Sequence, residues 1–422
     1  MLWTKPYETG TAEINERHGQ LLARAGIFPN QRSRNRHKPL PLSILIILFS
    51  MVFLLWDAGA ARAEPDTSWY VEGQAAFTIS NADQLAGLAN LVNEGKDYFS
   101  GKTISLDRDI SLTGSWTPIG VYSQHPEDRR PFLGTFNGGD KKITGLIISR
   151  PETGYAGLFG YIGERANIFN VDIQNVNVSG SDNVGALAGV SEGSITNCRV
   201  TNGSVIGNNN VGALIGISEG NITNCRVTTG TVHGNNNVGG LTGVSKCNIV
   251  SCQVTGGSVI GNDEVGGLIG FIDRSVEVSS SNASASVIGR NSVGGLIGSA
   301  GDKTNIRACQ ARGSVTGRDD VGGLIGRNSS GSVTNCQAYG NVVGHSKVGK
   351  LIGYNAKGSV RNSSGRGTAT GDGQWVGEDI GRNDNFFGTD GGCNAGANGI
   401  SAASAAALYL LRRRGGMKKL RR

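Results

Sequence analysis

Aromatic side chains, histidines and long apolar runs are all scarce in this 422-residue chain. Phe, Trp and Tyr make up 6% of the residues, and there are five histidines. Proteins that bind single-stranded nucleic acid usually need aromatic side chains on which bases stack, so this composition argues against that class. The mainly apolar run from Leu42 to Trp56 has fifteen residues, whereas a helix that crosses a bilayer needs about 20.

The net charge of +7 comes from the two ends of the chain. Residues 1–63 hold eight Lys and Arg against four acidic residues, and residues 412–422 hold seven Lys and Arg and no acid. The residues between them have a net charge of −4. A basic balance that belongs to the termini gives no argument for nucleic-acid binding.

One hexapeptide recurs at almost constant spacing through the second half of the chain. Its form is Val-Gly-Gly-Leu-Ile-Gly with small variations, a weaker copy begins at Tyr155, and successive full copies begin 27 or 28 residues apart. The full copies begin at Val184, Val211, Val238, Val265, Val293, Val321, Val348 and Val376. This even period is typical of stacked units that each bury an apolar face against two neighbours.

Each repeat predicts one coil of β-strands. Residues 321–326, 332–337 and 341–344 are short runs rich in Val, Ile and Thr, separated by Gly, Asn, Ser and Asp. Such runs predict three strands joined by turns. At about 3.3 Å per extended residue, one unit forms a loop about 90 Å around. The predicted fold class is therefore all-β, a three-sided parallel β-solenoid (β-helix) with coils of about 27 residues.

Stacking the copies aligns identical side chains in columns. We interpret the Leu column as buried core, each side chain contributing roughly 1.5–3 kcal/mol. The column comprises Leu158, Leu187, Leu214, Leu241, Leu268, Leu296, Leu324 and Leu351. The neighbouring Gly columns indicate either positive φ or a close approach of backbone. Asp379 replaces the Leu in the last copy, as expected for a terminal coil that faces solvent.

Five of the seven cysteines also share one position in the repeat. They are Cys198, Cys225, Cys252, Cys309 and Cys336, whereas Cys247 and Cys393 lie elsewhere. Ligands in one stacked file point the same way and cannot surround an ion tetrahedrally. We interpret the file as small buried thiols that pack as hydrophobes, and we expect no metal site and no cofactor. An oxidising compartment would permit disulfides between adjacent coils, but three consecutive cysteines cannot all pair.

A polar pair, mostly Asn and Asp, precedes the Val in six of the copies, at residues 182–183, 209–210, 236–237, 263–264, 291–292 and 319–320. We interpret these pairs as turns, because Asn and Asp tolerate a left-handed backbone and stacked amides can bond along the file. The acidic pairs at 263–264 and 319–320 offer the oxygen ligands that Ca²⁺ prefers. They lie two coils apart, however, and no other feature of the sequence supports a calcium site.

Residues 64–150 predict an N-terminal cap with one helix, followed by irregular first coils. Ser80 and Asp83 resemble a helix start and Gly95 a stop, and between them Leu85, Leu88, Leu91 and Val92 form an apolar face. Residues 103–106, 109–112 and 143–148 alternate or run apolar like strands. A helix over the open end of a solenoid would cover an edge that otherwise invites aggregation.

The repeat resembles the GLUG motif, named for its Gly-Leu-hydrophobic-Gly core and found in bacterial surface and secreted proteins. The resemblance rests on the hexapeptide followed by Ser-Val-Thr-Asn-Cys, as at residues 332–336. Segments that resemble the usual leader of such repeats lie at 77–80, 85–89, 116–120, 132–136 and 143–146. The resemblance implies an adhesin-like surface protein whose repeat solenoid spans residues 151–388.

Some GLUG relatives attach the repeats to a zinc peptidase of the IgA-cleaving type. Such a peptidase needs a His-Glu-x-x-His pair on a helix. None of the five histidines begins such a pair; they are His18, His37, His125, His233 and His345. The peptidase activity is therefore not implied for this chain, and we expect no catalytic residues.

Residues 1–63 are predicted to be an N-terminal extension with a secretory signal peptide. Basic residues at 32–38 precede the apolar run at 42–56, and Ala61-Arg-Ala63 is a small-x-small site before Glu64. This order of basic, apolar and cleavable parts is typical of secretion signals. We expect cleavage between Ala63 and Glu64, with an uncleaved membrane anchor as the alternative.

Residues 389–422 resemble C-terminal sorting tails of the Synerg type, which are thought to be cut and replaced by an anchor. Gly392 and Cys393 precede an apolar stretch at 400–411 and the basic residues 412–414. The resemblance implies processing or lipid attachment at Cys393. The apolar part has only twelve residues and is rich in Ala, and residues 415–422 extend past the usual end. The alternative is a basic tail with a free thiol.

The sequence thus predicts a non-catalytic, structural or adhesive protein on the bacterial cell surface. The expected partner is an extracellular protein or polysaccharide, with membrane contact through the processed tail and no nucleic acid. The alternatives are a carbohydrate-active β-helix enzyme and the accessory half of a larger surface enzyme. An active site would interrupt the repeat with longer loops. The one notable interruption, residues 122–131, is interpreted as a solvated charged loop.

Overall fold

Residues 64–371, which a computed structural model describes, form a parallel β-solenoid of about eleven coils. The predicted fold class is confirmed, since each strand pairs in parallel with the strand one coil away. Adjacent coils are thus about 4.8 Å apart. The predicted terminal coil at Val376, with Asp379, lies outside the described residues.

Four parallel sheets run along the axis of the solenoid, and the first two contain eleven and eight strands. Sheet 1 comprises β1 (Ala76–Ile79), β2 (Thr103–Leu106), β4 (Thr135–Asn137), β8 (Asn167–Phe169), β11 (Ser194–Thr196), β15 (Ile222–Thr223), β19 (Ile249–Val250), β24 (Glu277–Ser279), β29 (Asn305–Arg307), β34 (Ser332–Thr334) and β39 (Ser359–Arg361). Sheet 2 comprises β7 (Phe159–Ile162), β10 (Ala188–Ser191), β14 (Ile215–Ser218), β18 (Thr242–Ser245), β23 (Ile269–Ile272), β28 (Ile297–Ala300), β33 (Ile325–Asn328) and β38 (Ile352–Asn355).

The other two sheets contain sixteen and six strands. Sheet 3 comprises β3 (Ile110–Ser111), β5 (Lys142–Thr144), β6 (Ile147–Ser149), β9 (Asp172–Ser179), β12 (Arg199–Ile206), β16 (Arg226–His233), β20 (Gln253–Thr255), β21 (Ser258–Ile260), β25 (Asn282–Ala283), β26 (Ser286–Ile288), β30 (Gln310–Ala311), β31 (Val315–Thr316), β35 (Gln337–Ala338), β36 (Val342–Gly344), β40 (Ser364–Gly365) and β41 (Ala369–Gly371). Sheet 4 comprises β13 (Asn209–Gly212), β17 (Asn236–Gly239), β22 (Asp263–Gly266), β27 (Asn291–Gly294), β32 (Asp319–Gly322) and β37 (Ser346–Gly349).

The coil has more sides than the sequence predicts. The unit that begins at Asp319 contributes five strands, β32 to β36, to four sheets, where the sequence pattern predicts three strands. One reason is that the hexapeptide contains a turn, so that its first residues end β32 and its last begin β33. The other is Asn335, whose left-handed φ of 56° separates β34 from β35. Short strands between frequent turns therefore replace long flat sides.

The glycines of the hexapeptide are required by close packing of backbone. Gly270 illustrates this: a methyl group built on it would lie 2.5 Å from the carbonyl carbon of Asn237 and from the amide nitrogen of Val238. No glycine of the motif copies within residues 64–371 has a left-handed φ. Of the two explanations the sequence allowed, close approach is therefore the one that applies, because strands of sheets 2 and 4 fold back onto each other without room for side chains.

The interior is filled by the columns that the repeat predicts. The Leu column is buried, from Leu158 at 0% exposed to Leu351 at 6%. The first coils are filled differently, with aromatic rings in sequence: Phe77 contacts Phe99, Phe99 contacts Phe132, and both Phe132 and Phe136 contact Phe159. One continuous hydrophobic core links these aromatic coils to the aliphatic repeats.

The helix α1 (Ala82–Asn93) lies between β1 and β2, where the sequence predicts it. Its apolar face, with Leu85 and Leu88 at 0% exposed, joins the same core. The helix begins one residue later than expected from Ser80, because the Asn81 side chain accepts a hydrogen bond from the Gln84 backbone N–H at 2.9 Å. Gly95, with φ of +71°, follows its end. The predicted strand at 143–148 is divided by Gly145, which has φ of +74°.

Candidate functional site

The residues predicted for processing lie at or beyond the ends of the described part. Ala61, Ala63, Gly392 and Cys393 lie outside the described residues. Glu64 is the first described residue, and its backbone N–H donates to the Asp83 carboxylate at 3.1 Å. Signal cleavage and tail processing thus stay predictions.

The cysteine file is part of the core. The five thiols of the file are at most 1% exposed and unpaired, and each donates to a backbone carbonyl, as Cys198 does to Thr196 at 3.4 Å. Hydrogen bonding to the neighbouring thiol, together with burial, raises the pKa of Cys225 and Cys252. Cys247 is also buried, and burial raises the pKa of its thiol. Cys225, Cys247 and Cys252 therefore stay protonated, and the buried thiols of the file pack as small hydrophobes, as predicted.

The polar turn before the Val is left-handed in every repeat coil from Asn183 to Lys347. Asn210 donates to the Asn183 side-chain oxygen at 2.7 Å, and Asn237 donates to that of Asn210 at 2.8 Å. This amide ladder confirms that the pairs serve as turns that bond along the file. These two bonds join three successive coils.

Of the two acidic pairs, the one at 319–320 forms ion pairs with neighbouring basic side chains. Asp320, at 6% exposed, lies 3.3 Å from an Arg327 nitrogen and 3.1 Å from the Lys347 ammonium. Asp263 accepts a hydrogen bond from the Asn291 amide at 2.6 Å. Burial, followed by the charge of Asp263, raises the pKa of Glu264. Residues 64–371 contain no group of three His, Cys, Asp or Glu side chains placed to hold a metal ion.

The charged loop at 122–131 is closed by an antiparallel bridge between Val121 and Arg130. The guanidinium of Arg129 lies 4.6 Å from the ring centre of Tyr122, which stacks on Tyr155 at 4.8 Å. In contrast, the side chains of His125 and Glu127 are 74% and 72% exposed. The aromatic base of the loop is therefore packed, and its ionisable tip is solvated, as predicted.

Sequence reasoning missed a continuous polar surface on the outside of sheet 3. Two columns of side chains, in alternation with buried Val and Ala, run along it for seven coils, about 29 Å at about 4.8 Å per coil. One column is Arg199, Arg226, Gln253, Asn282, Gln310, Gln337 and Ser364. The other is Thr201, Thr228, Thr255, Ser284, Arg312, Tyr339 and Arg366. We call these two columns the sheet-3 face.

Carboxylates are excluded from the sheet-3 face. From Arg199 onward, no strand of sheet 3 contains Asp or Glu. The eight acidic residues between positions 199 and 371 lie instead in sheets 1 and 4 or in turns; they are Glu219, Asp263, Glu264, Asp273, Glu277, Asp302, Asp319 and Asp320. Within residues 64–371, the four arginines of the face form no ion pair. Their charges are thus available to an anionic partner.

Two of these arginines flank one aromatic ring. The guanidinium carbon of Arg312 lies 4.5 Å from the ring centre of Tyr339, and that of Arg366 lies 5.6 Å from it. Arg312 also donates to the Gln310 side-chain oxygen at 2.8 Å. Because a guanidinium stacked on a ring keeps its N–H edges directed outward, this cluster presents two ordered cation groups on alternate coils.

Charge also changes sign along the described part. Residues 64–288 contain 21 acidic and 13 basic side chains, a net charge of −8. Residues 289–371 contain 3 acidic and 11 basic side chains, a net charge of +8. Residues 64–371 as a whole therefore have no net charge, but the excess of basic side chains places a positive potential over the later coils.

No helix among residues 64–371 is long and apolar enough to cross a bilayer. The α-helix described there, α1, has twelve residues.

Two known proteins are similar to parts of this chain. A candidate Gly-rich membrane protein of Evansella cellulosilytica is 34% identical over 164 residues, which is 37% of this chain and 18% of that protein. Halomucin of Haloquadratum walsbyi is 37% identical over 118 residues, which is 27% of this chain and 1% of halomucin. The chain therefore spans less than a fifth of either relative.

A candidate immunoglobulin A1 protease from Bacteroides ovatus, a crystal structure, aligns with 69% of this chain and 75% of its own at 18% identity and a TM-score of 0.37. That likeness is too low to support an argument. The model of the GLUG motif matches residues 289–316 and 317–343, two consecutive coils of the solenoid. The chain therefore carries repeats of the GLUG motif, wound here into a parallel β-solenoid.

Proposed function

We propose that this protein is a non-catalytic repeat protein of the cell surface, with a structural or adhesive role. One observation carries the proposal. Successive coils have similar core residues, turns and lengths, whereas the residues that face outward differ. For example, Arg226, Gln253 and Asn282 occupy the same position of sheet 3 in three successive coils. A stack of this kind presents varied polar groups on a rigid support.

The relatives and the sequence ends support a location at the surface. The two relatives are named as a membrane protein and as a halomucin. A signal peptide cleaved between Ala63 and Glu64 would direct export of the chain, and processing at Cys393 would attach it to the envelope. In this proposal the partner is an extracellular protein or a polysaccharide, and membrane contact is made by the processed tail.

Washed cells that express the full chain provide the test. We expect external protease to remove the solenoid from intact cells, and mass spectrometry to find a mature N-terminus at Glu64. A deletion strain should adhere less well to extracellular matrix or glycan surfaces than the parent. A chain that retains Met1 and Arg422 in the soluble cytoplasm would contradict the proposal.

The accessory half of a larger surface enzyme is the alternative that the sequence leaves open. Co-purification of an enzyme with the full chain from the envelope fraction would favour it. A chain that supports adhesion by itself would exclude it.

A further inference from the structure

We propose that the sheet-3 face binds a linear polysaccharide that carries carboxylate groups, with the polymer lying along the solenoid axis. The inference rests on the proposed surface function and names its partner chemistry. It is carried by the columns of Arg, amide and hydroxyl side chains on this face and by the absence of carboxylates from its strands.

Charge complementarity favours an anionic partner. Arg199 and Arg226 lie at one end of the face, and Arg312 and Arg366 lie at the other. All four are exposed, and none forms an ion pair within residues 64–371. A carboxylate can accept two parallel N–H bonds from one guanidinium. The ends of the face therefore supply the strongest contacts that a carboxylated chain could make.

The centre of the face favours a sugar polymer among anionic partners. Gln253 and Asn282 succeed one another between the arginine pairs, beside the hydroxyls of Thr255 and Ser284. Amides donate and accept at once, which suits sugar hydroxyl groups. A sugar polymer with widely spaced carboxylates and many hydroxyl groups therefore matches both the arginines at the ends of the face and the amides at its centre.

The same features argue against nucleic acid. Duplex DNA carries one charge per about 1.7 Å of its axis and is held mainly by dense phosphate contacts, whereas the face has four arginines in seven coils. Single strands need aromatic platforms. Tyr339 is the one Phe, Trp or Tyr of the sheet-3 face, and arginines flank its ring.

The geometry also lowers the entropic cost of binding. Tyr339 and Gln310 hold the Arg312 guanidinium before any ligand arrives, and a rigid ladder fixes the spacing between successive contacts. Less side-chain freedom is lost when groups are ordered in advance. A flexible polymer can therefore bind through many weak contacts whose sum depends on its length.

Binding of the full chain to immobilised polygalacturonate tests the proposal, with neutral dextran and duplex DNA as comparison surfaces at the same salt concentration. We expect binding to polygalacturonate to exceed binding to dextran and DNA. The double variant R312Q/R366Q should weaken binding at least tenfold. The matched control R274Q/R307Q removes the same charge outside sheet 3, from a turn and from sheet 1, and should change affinity less than twofold.

A second variant tests the same face by adding a negative charge, which should repel the polymer carboxylates, while all four arginines are kept. Thr255→Glu on the face should weaken binding to polygalacturonate several-fold, whereas Thr334→Glu on sheet 1 should not. Circular dichroism would verify that each variant is folded. Equal losses in face and control variants, equal binding to dextran, or tighter binding to DNA would each overturn the proposal.

Adhesion assays separate this inference from the proposed function. If cells that display R312Q/R366Q adhere as well as the parent, and soluble polygalacturonate does not compete, the polysaccharide site is wrong while the surface role stands. If the chain is never displayed outside the cell but the purified protein binds as expected, the surface role is wrong.

Discussion

The side-chain amide of Asn224 donates a hydrogen bond to the side-chain oxygen of Asn197, 2.6 Å away and one coil earlier. Both residues have a left-handed φ of 54°, and each immediately precedes a cysteine of the buried file. Asn tolerates this backbone better than most residues, and here it adds a bond between coils. One residue type therefore both turns the chain and joins neighbouring coils.

Ala308 occupies the same place in its coil with φ of 53° and no side-chain bond to offer. We expect Ala308→Gly to raise the free energy of unfolding by about 0.5–1 kcal/mol, because relief of left-handed strain outweighs the added chain entropy. Denaturant titration followed by circular dichroism measures it. Ala356→Gly, at a residue without positive φ, is the control and should lower stability by about 0.5–1 kcal/mol. The same sign for both variants would contradict the explanation.

The Leu column should dominate stability in the repeats. Leu268 is 0% exposed, and Leu268→Ala should lower the free energy of unfolding by about 2–5 kcal/mol through lost burial and a cavity. Ile288 is 44% exposed on the outside of sheet 3, and Ile288→Ala should change stability by no more than about 0.5 kcal/mol. Equal effects in thermal or denaturant unfolding would show that the column is not the core.

Glu264 should make stability depend on pH. Burial and Asp263 raise its pKa in the folded state above the ordinary value of 4.5, so the folded state binds the proton more tightly than the unfolded state. This contribution to stability is present below pH 4.5 and is lost as pH rises through the raised pKa. Glu264→Gln should therefore be more stable than the parent at pH 7, with the difference vanishing in acid.

Unfolding curves at several pH values measure this effect. Glu152→Gln, at an exposed position, is the matched control and should follow the parent. A Glu264→Gln variant whose advantage is the same at every pH would contradict the titration.

The buried thiols should resist alkylation in the reduced, folded protein. The six described cysteines are at most 7% exposed, and reaction requires an accessible thiolate. Iodoacetamide followed by mass spectrometry should modify none of the six under native conditions, and all of them in guanidinium. Cys393, which lies outside the described residues, serves as a comparison within the same protein. Rapid native labelling of Cys198 or Cys336 would show that the file opens.

Much of the solenoid could be predicted because every coil needs the same residue types at the same core and turn positions, and the sequence repeats them. Leu241 and Leu268 recur at the coil length, since each must fill the same interior position. Asn210 and Asn237 recur because the same turn needs the same left-handed residue. Helix α1 was also predicted, from its apolar spacing and from Gly95.

The sides of the coil and the role of the hexapeptide glycines could not be predicted in the same way. Whether Gly270 serves positive φ or a close approach depends on a strand of the preceding coil, here at Asn237 and Val238. Glycine permits both, so composition does not distinguish them. The split of two predicted strands into four follows from the turn within the hexapeptide and from the left-handed backbone of Asn335.

The sheet-3 face could not be recognised because its residues differ from coil to coil. Arg312, Tyr339 and Arg366 are 27 residues apart, and only the register of the coils shows that their side chains stack. An alignment of the coils on the hexapeptide could have shown that these positions lack carboxylates. However, some coils contain 28 residues instead of 27, so equivalent positions are not at a constant distance from the hexapeptide.

By itself the sequence determined the parallel β-solenoid, its period, its core columns and the chemistry of its turns, because each depends on contacts repeated in every coil. The tertiary structure alone decided where the backbone is too crowded for a side chain and which polar residues share one face. Those properties arise from the register between coils, which sets distances between residues that no local pattern relates.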